Sequence, residues 1–192
     1  MPWTALGLTF AAGQNPYAAL FLLAVLARSD NVDILLHAPF AFLSHTATIG
    51  VLFVLAGVQV FADKHPRWRR TEALTGLVAR PLSAAMIVLS LIGSTDTGVL
   101  LWVVVAIVVA HASHFFRVRL RRQLADKMAG MGYFLASLSL DSAALITGLL
   151  AILAPVVGAV LGASVFASSA VLSLRMQFNA GESGQPKLPN QS

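Results

Sequence analysis

Apolar residues in this chain fall into six runs, at about residues 3–27, 46–62, 73–93, 98–116, 131–153 and 155–174. A helix rises about 1.5 Å per residue and the hydrocarbon core of a bilayer is about 30 Å thick, so runs near 20 residues read as membrane spans. None of the runs alternates with period two, and none carries the polar face of a soluble amphipathic helix. The pattern predicts an all-α, polytopic membrane helix bundle of about six transmembrane segments over residues 1–175. Residues 176–192, ending in "NAGESGQPKLPNQS", are polar and rich in Gly and Pro, and are expected to form a disordered tail.

The first run is interrupted at "AAGQNPYAAL". Gly13 is a poor helix former, and Pro16 removes a backbone donor and crowds the turn before it. Broken backbone at membrane depth persists only where protein or a water-filled cavity satisfies it. This segment is therefore either one kinked helix or a re-entrant hairpin, and the hairpin would place the N-terminus outside. The apolar stretch "ILLHAPFAFL", residues 34–43, is too short to cross and is expected to lie at the outer interface.

The polar links sort by charge. Lys64, Arg67, Arg69 and Arg70 stand between the second and third runs, and Arg117, Arg119, Arg121, Arg122 and Lys127 between the fourth and fifth. The link "STDT" has no base, and the segment from Arg28 to His45 has only Arg28. If all six runs cross, both basic links lie on one side, which the positive-inside rule assigns to the cytoplasm. Both termini would then be cytoplasmic as well. The units after each basic link also look alike, "ARPLSAAMIVLSL" and "SLDSAALITGLL", in a register that sets Arg80 beside Asp141.

Composition agrees with this class. Of 192 residues, 57% are hydrophobic and 11% charged, with mean hydropathy +0.79, whereas soluble domains carry about 25% charged residues. Net charge is +5. In a membrane chain those bases belong to topology, and no extended basic and aromatic surface suggests nucleic acid. Cysteine is absent, which excludes disulfides and thiolate chemistry. No basic n-region precedes the first run, so it is read as a span and not as a cleaved signal.

A charge within a membrane helix costs about 2.5–3.5 kcal/mol on insertion scales and usually marks function or pairing. Arg80 and Asp141 lie well inside the third and fifth runs, His111 and His114 near the inner end of the fourth, and Asp63 at the end of the second. Four helices thus place costly groups in one leaflet, and a converging cluster of Asn15, Asp63, Arg80, His111 and Asp141 is expected, with Gln14, His114 and Ser137 beside it. Arg80 is expected to pair with Asp141 or Asp63, the plainer reading being that its stem snorkels to the interface. His111 and His114 are three apart, and with Asp141 they have the donor types of a metal site, although no HExxH stands in the chain. No cofactor is expected. Gly158 and Gly162 form a GxxxG that helix packing explains.

These residues resemble a known family. "AAGQNPYAALFLLAVLAR", "FADKHPRW", "ARPLSAA", Ala110-His111 and "LSLDSAALITGLLAILAP" are similar, over about residues 10–160, to the bacterial membrane family labelled domain of unknown function 4126. Where that family has a lysine after the histidine helix, His114 stands here, and its glycine-asparagine-proline before the fifth span is reduced to "GMGYF". The resemblance implies a multi-pass protein of the bacterial inner membrane and assigns no activity.

Three functions compete on these residues. A small-solute or ion carrier would use the broken segment and the charged cluster. A membrane scaffold or partner subunit would use the charges only to lock helices. An intramembrane enzyme acting on a lipid headgroup would use His111 as a base, but no nucleophile elbow or phosphate loop supports it. The carrier is the preferred expectation. Its few short spans suit a homodimer in the lipid bilayer, with the GxxxG as the contact.

Overall fold

In the computed structural model, residues 1–29, 32–64, 68–93, 97–127 and 131–183 are described. Among them the chain forms seven α-helices and one 3-10 turn. The helices are α1 (Pro2–Gln14), α2 (Pro16–Ala27), α3 (Thr46–Lys64), α4 (Arg69–Ile92), α5 (Val99–Lys127), α6 (Met131–Leu153) and α7 (Pro155–Ser183). Three of them contain stretches long and apolar enough to cross a membrane, Leu74–Ile92, Val99–Ala125 and Pro155–Met176. The shorter apolar stretches Thr46–Ala62 and Ser137–Leu153 belong to α3 and α6. Large apolar side chains such as Phe53, Leu100, Val108 and Val160 face outward, as lipid-exposed positions do. The chain is a helical membrane bundle.

The connections α3–α4 and α5–α6 define a basic end, and α7 runs back toward it. The course of α1 follows from its contacts with α7. A Cβ on Gly7 would touch the backbone of Gly158 and Ala159, and a Cβ on Gly162 would touch Phe10, whose ring is 6.1 Å from that of Phe166. Both numberings rise together, so α1 is parallel to α7 and runs toward the basic end. Along α2 the order reverses. Tyr17 shares a cleft with Val58 and Ala62, the Phe21 ring lies 5.6 Å from that of Phe53, and Arg28 donates to the Thr46 hydroxyl. Thus α2 is antiparallel to α3 and runs away from the basic end. Gly148 of α6 meets both arms, through Leu8 and Ala11 of α1 and Leu22 of α2.

The first segment is therefore a re-entrant hairpin. Its 13- and 12-residue arms each rise about 20 Å, too little to cross a 30 Å core. Five further helices, α3 to α7, follow it, in line with about six segments of which the first is interrupted. The start of α1 and the described end of α7 consequently lie at opposite ends of the bundle.

The tip is built by three residues. Asn15 is extended, at φ −143° and ψ 100°, which breaks the helical course. Its N–H donates to the Ala11 carbonyl at 2.8 Å, and its Oδ1 accepts from the Ala18 N–H at 3.0 Å as a helix N-cap. Pro16 follows at the first helical position, where a missing N–H is harmless. The tip thus meets part of its hydrogen-bonding needs itself, as broken backbone at membrane depth requires. Nine of the thirteen α1 residues are buried, which small side chains permit. A Cβ at Gly13 would fall 2.5 Å from the Ser113 Cβ.

Two further segments are placed by the structure. Residues 34–43 do lie across the non-basic end, where the His37 N–H donates to the Ser90 carbonyl at 2.9 Å and Leu43 is buried beneath the turn at Phe40–Ser44. Residues 176–183, expected in the disordered tail, continue α7.

The hairpin has a direct topological consequence. Because the chain lacks cysteine, single cysteines can be introduced without background. Pro2→Cys and Ala41→Cys should react with a membrane-impermeant maleimide from one side of sealed vesicles, and Arg122→Cys from the other. Labelling of Pro2→Cys together with Arg122→Cys would mean that the first segment crosses.

Candidate functional site

Around the hairpin tip the helices bring together a buried polar cluster. Arg80 is 0% exposed, Arg117 1%, Arg121 5% and Asp141 4%, and Gln14, Asn15 and His114 are buried with them. Helix rise explains why they share a level. Arg117 stands ten residues before the end of α5, Asp141 ten residues after the start of α6, and Arg80 eleven after the start of α4. Each is about 15 Å along its helix from the basic end.

Of the two carboxylates expected to pair with Arg80, the Asp63 side chain lies outside the described residues, and Asp141 receives two other arginines. Oδ1 of Asp141 accepts from Nη2 of Arg117 and, at 3.1 Å, from Nη2 of Arg121. Arg80 instead places Nη1 3.2 Å from Nε2 of His114 and donates from Nη2 to the Gln14 carbonyl at 3.4 Å. A guanidinium can only donate, so the His114 Nε2 is the acceptor and its ring proton sits on Nδ1. Arg117 donates from Nη1 to Oε1 of Gln14 at 3.2 Å. Gln14 therefore joins the two halves, its carbonyl taking Arg80 and its side chain taking Arg117. That carbonyl belongs to the last turn of α1, where the helix dipole adds partial negative charge and favours a cation.

Arg117 and Arg121 were missed because they were assigned to a basic loop. In the structure α5 is 29 residues long, about 42 Å by rise, and carries them on its inward face. The burial pattern along α5 is Ala110, Ser113, His114, Arg117, Leu120 and Arg121, which is helical spacing. The signal was present as the polar residues Ser113, His114, Arg117 and Arg121, at i, i+1, i+4 and i+8, running on from an apolar helix.

The remaining expected residues are placed as follows. His111 is exposed and lies apart from the cluster. Residues three apart on a helix differ by about 60° around its axis, and the boundary between interior and lipid falls between His111 and His114. The metal reading of His111, His114 and Asp141 fails for the same reason, since the three side chains do not converge, and no metal-competent group of three occurs among the described residues. Ser137 is buried one turn before Asp141, and its hydroxyl has no hydrogen-bond partner among the described residues. The side chain of Asp63, at the end of α3, lies outside the described residues.

Gly158 and Gly162 face inward. A Cβ on Gly158 would collide with the Ala151 backbone, and one on Gly162 would sit 2.7 Å from the Phe10 Cβ. The surface expected to join two copies is consumed within one chain.

A cleft of about 180 Å³ opens beside the cluster between α2, α3 and α4, lined by Tyr17, Val58, Gln59, Trp68, Thr75 and Gly76 among others. Gly76 separates it from the buried charge. A Cβ there would lie 3.0 Å from both the Arg80 guanidinium carbon and Cε1 of His114.

The family model described as "Domain of unknown function (DUF4126)" matches residues 3–175. The chain belongs to this family. Neither the curated proteins nor the solved structures compared with it give a match. For this member of family 4126, the match runs over the hairpin, all five long helices and every residue of the cluster.

The network makes unequal demands on its members. Removing one partner of a buried ion pair costs about 3–5 kcal/mol, because the remaining charge stays buried. Asp141→Asn should therefore lower the thermal midpoint of the purified protein by roughly ten degrees. His111→Ala should leave it within about two degrees, as expected for an exposed position. Equal shifts in a melting experiment would contradict the assignment of the two side chains.

Proposed function

We propose that the protein is a carrier or permeation protein for a small anionic solute in the bacterial inner membrane, with its basic end in the cytoplasm. The observation that carries the reading is the hairpin tip. A helix broken at membrane depth delivers Gln14 to Arg80 and Arg117, and the cleft at Gly76 lies beside the Arg80 guanidinium. Discontinuous helices that meet ionisable side chains near the middle of the bilayer are how many transporters build their sites. On this reading Arg80 is the binding cation. Asp141, held by two arginines, keeps the site assembled, and His114 adjusts to the solute. The excess of Lys and Arg in the two basic links supports the cytoplasmic assignment, which leaves the hairpin entering from outside.

A second reading has its own observation. Asp141 already receives two guanidiniums, which is what a purely structural lock between α5 and α6 requires. Exchanging the pair, Arg117→Asp with Asp141→Arg, separates the two. A lock should recover stability and every phenotype, whereas a working site should recover stability without binding.

The direct test is thermal stabilisation of the purified protein by a panel of small anions, covering inorganic anions and mono- and dicarboxylates. The expected result is a rise of several degrees with one class, absent in Arg80→Gln. A full panel without a shift, or an equal shift in Arg80→Gln, would overturn the carrier reading in favour of the lock.

A further inference from the structure

On the face of the hairpin tip away from the cleft, a small chamber of about 10 Å³ lies between α1, α5, α6 and α7. Its polar lining consists of Gln14, Ser113 and Thr147, set among Phe10, Gly162 and Phe166. Ser113 is 1% and Thr147 2% exposed, and neither hydroxyl has a hydrogen-bond partner among the described residues.

Ser137 and Ser173 are likewise buried without a partner among the described residues, but five other helix hydroxyls behave differently. Thr9 donates to the Ala5 carbonyl, Ser83 to Ala79, Ser90 to Ile87, Ser164 to Val160 and Ser169 to Val165, all at 2.7–2.9 Å. Bonding back to the preceding turn is the local solution for a hydroxyl on a membrane helix. Ser113 and Thr147 forgo it, although nothing in helical geometry forbids it to them. Both line the same chamber, and a buried hydroxyl without a partner costs about 1–3 kcal/mol.

We infer that this chamber is a binding site for a single water molecule, held by the Ser113 and Thr147 hydroxyls and the Gln14 side chain. About 10–15 Å³ of void is the room one water needs, and two to four polar partners are what holds it. A metal cation is disfavoured there, because Arg117 already bonds to the same Gln14 side chain. The water extends the hydrogen-bonded chain that starts at Asp141. The chain then runs through Arg117 and Gln14 to Thr147, and so returns to α6, which carries both Asp141 and Thr147. It gives the hairpin tip a second attachment to that helix. The inference stands whether the cluster binds a solute or only locks helices.

The sign of a stability change tests it. Thr147→Val keeps the side-chain shape and removes the hydroxyl. If a water is bound, Thr147→Val and Ser113→Ala each strip one of its partners, and each should lower the thermal midpoint by about 2–6 °C. Together they should lower it by less than the sum, because the water is lost only once. If the chamber is dry, each substitution removes an unsatisfied hydroxyl, so an unchanged or higher midpoint in either single variant would overturn the inference. X-ray radiolysis supplies a readout independent of stability, since a bound water yields hydroxyl radical where it sits. Phe10 or Phe166 should be oxidised in the wild-type protein and protected in the double variant, and equal oxidation in both would count against the site.

Discussion

A helix that ends inside a bilayer leaves carbonyls with no water to receive, and each must find a donor within the protein. This constraint governs the centre of the molecule. The end of α1 is closed by the Asn15 N–H on Ala11 and by the Arg80 guanidinium on Gln14, while α2 opens with its own Asn15 cap. The buried arginine and the broken helix are therefore one feature. The break creates a partly negative terminus at depth, and the guanidinium supplies a donor with a charge of the right sign. Each would be costly alone, and each offsets the other.

The same constraint explains the composition of α1. A hairpin arm inside a bundle touches helices on several sides, and seven of the thirteen α1 residues are Gly, Ala or Thr. Gly7 and Gly13 mark the closest approaches, to Ala151 and to Ser113. Helices in a membrane gain no hydrophobic energy by meeting one another, and close backbone approach through small residues is what holds them together. The GxxxG of α7 serves this packing, with Gly162 receiving Phe10 of the hairpin. The long helices keep their large apolar residues for the lipid.

Much of this was legible in the chain. The apolar runs located α3, α4, α6 and the start of α7 to within a few residues, because hydrocarbon thickness sets a length scale that sequence must meet. The dipeptide Asn15-Pro16 marked the break, and the depths of Arg80 and Asp141 marked the costly groups. The direction of α2 was not legible, because an extended residue between two helices permits a kink or a reversal, and partners distant in sequence, Phe53 and Gly148, decide between them. The partners of Asp141 were obscured for another reason. Counting basic residues as topology signals treats them as solvated, and a helix can carry arginine well past its apolar stretch when the inward face has an acceptor to offer.

Helix direction accounts for which arginines reach the carboxylate. Side chains on an α-helix lean toward its N-terminus. α5 runs toward the basic end, so Arg117 and Arg121 lean back into the membrane, and α6 runs away from it, so Asp141 leans down to meet them. α4 also runs away from the basic end, so Arg80 leans toward that end and lies over Gly76, one turn earlier in its own helix. It follows the course of a snorkelling arginine yet stays at 0% exposure, because His114 and the hairpin tip close over it. Two arginines directed upward and one directed downward meet at one level, and Gln14 is the residue that touches both sets. A displacement of the hairpin along its axis would lengthen the Arg80 and Arg117 bonds together while leaving the Arg117–Asp141 pair intact. The tip is the part of the cluster able to move without separating buried charge.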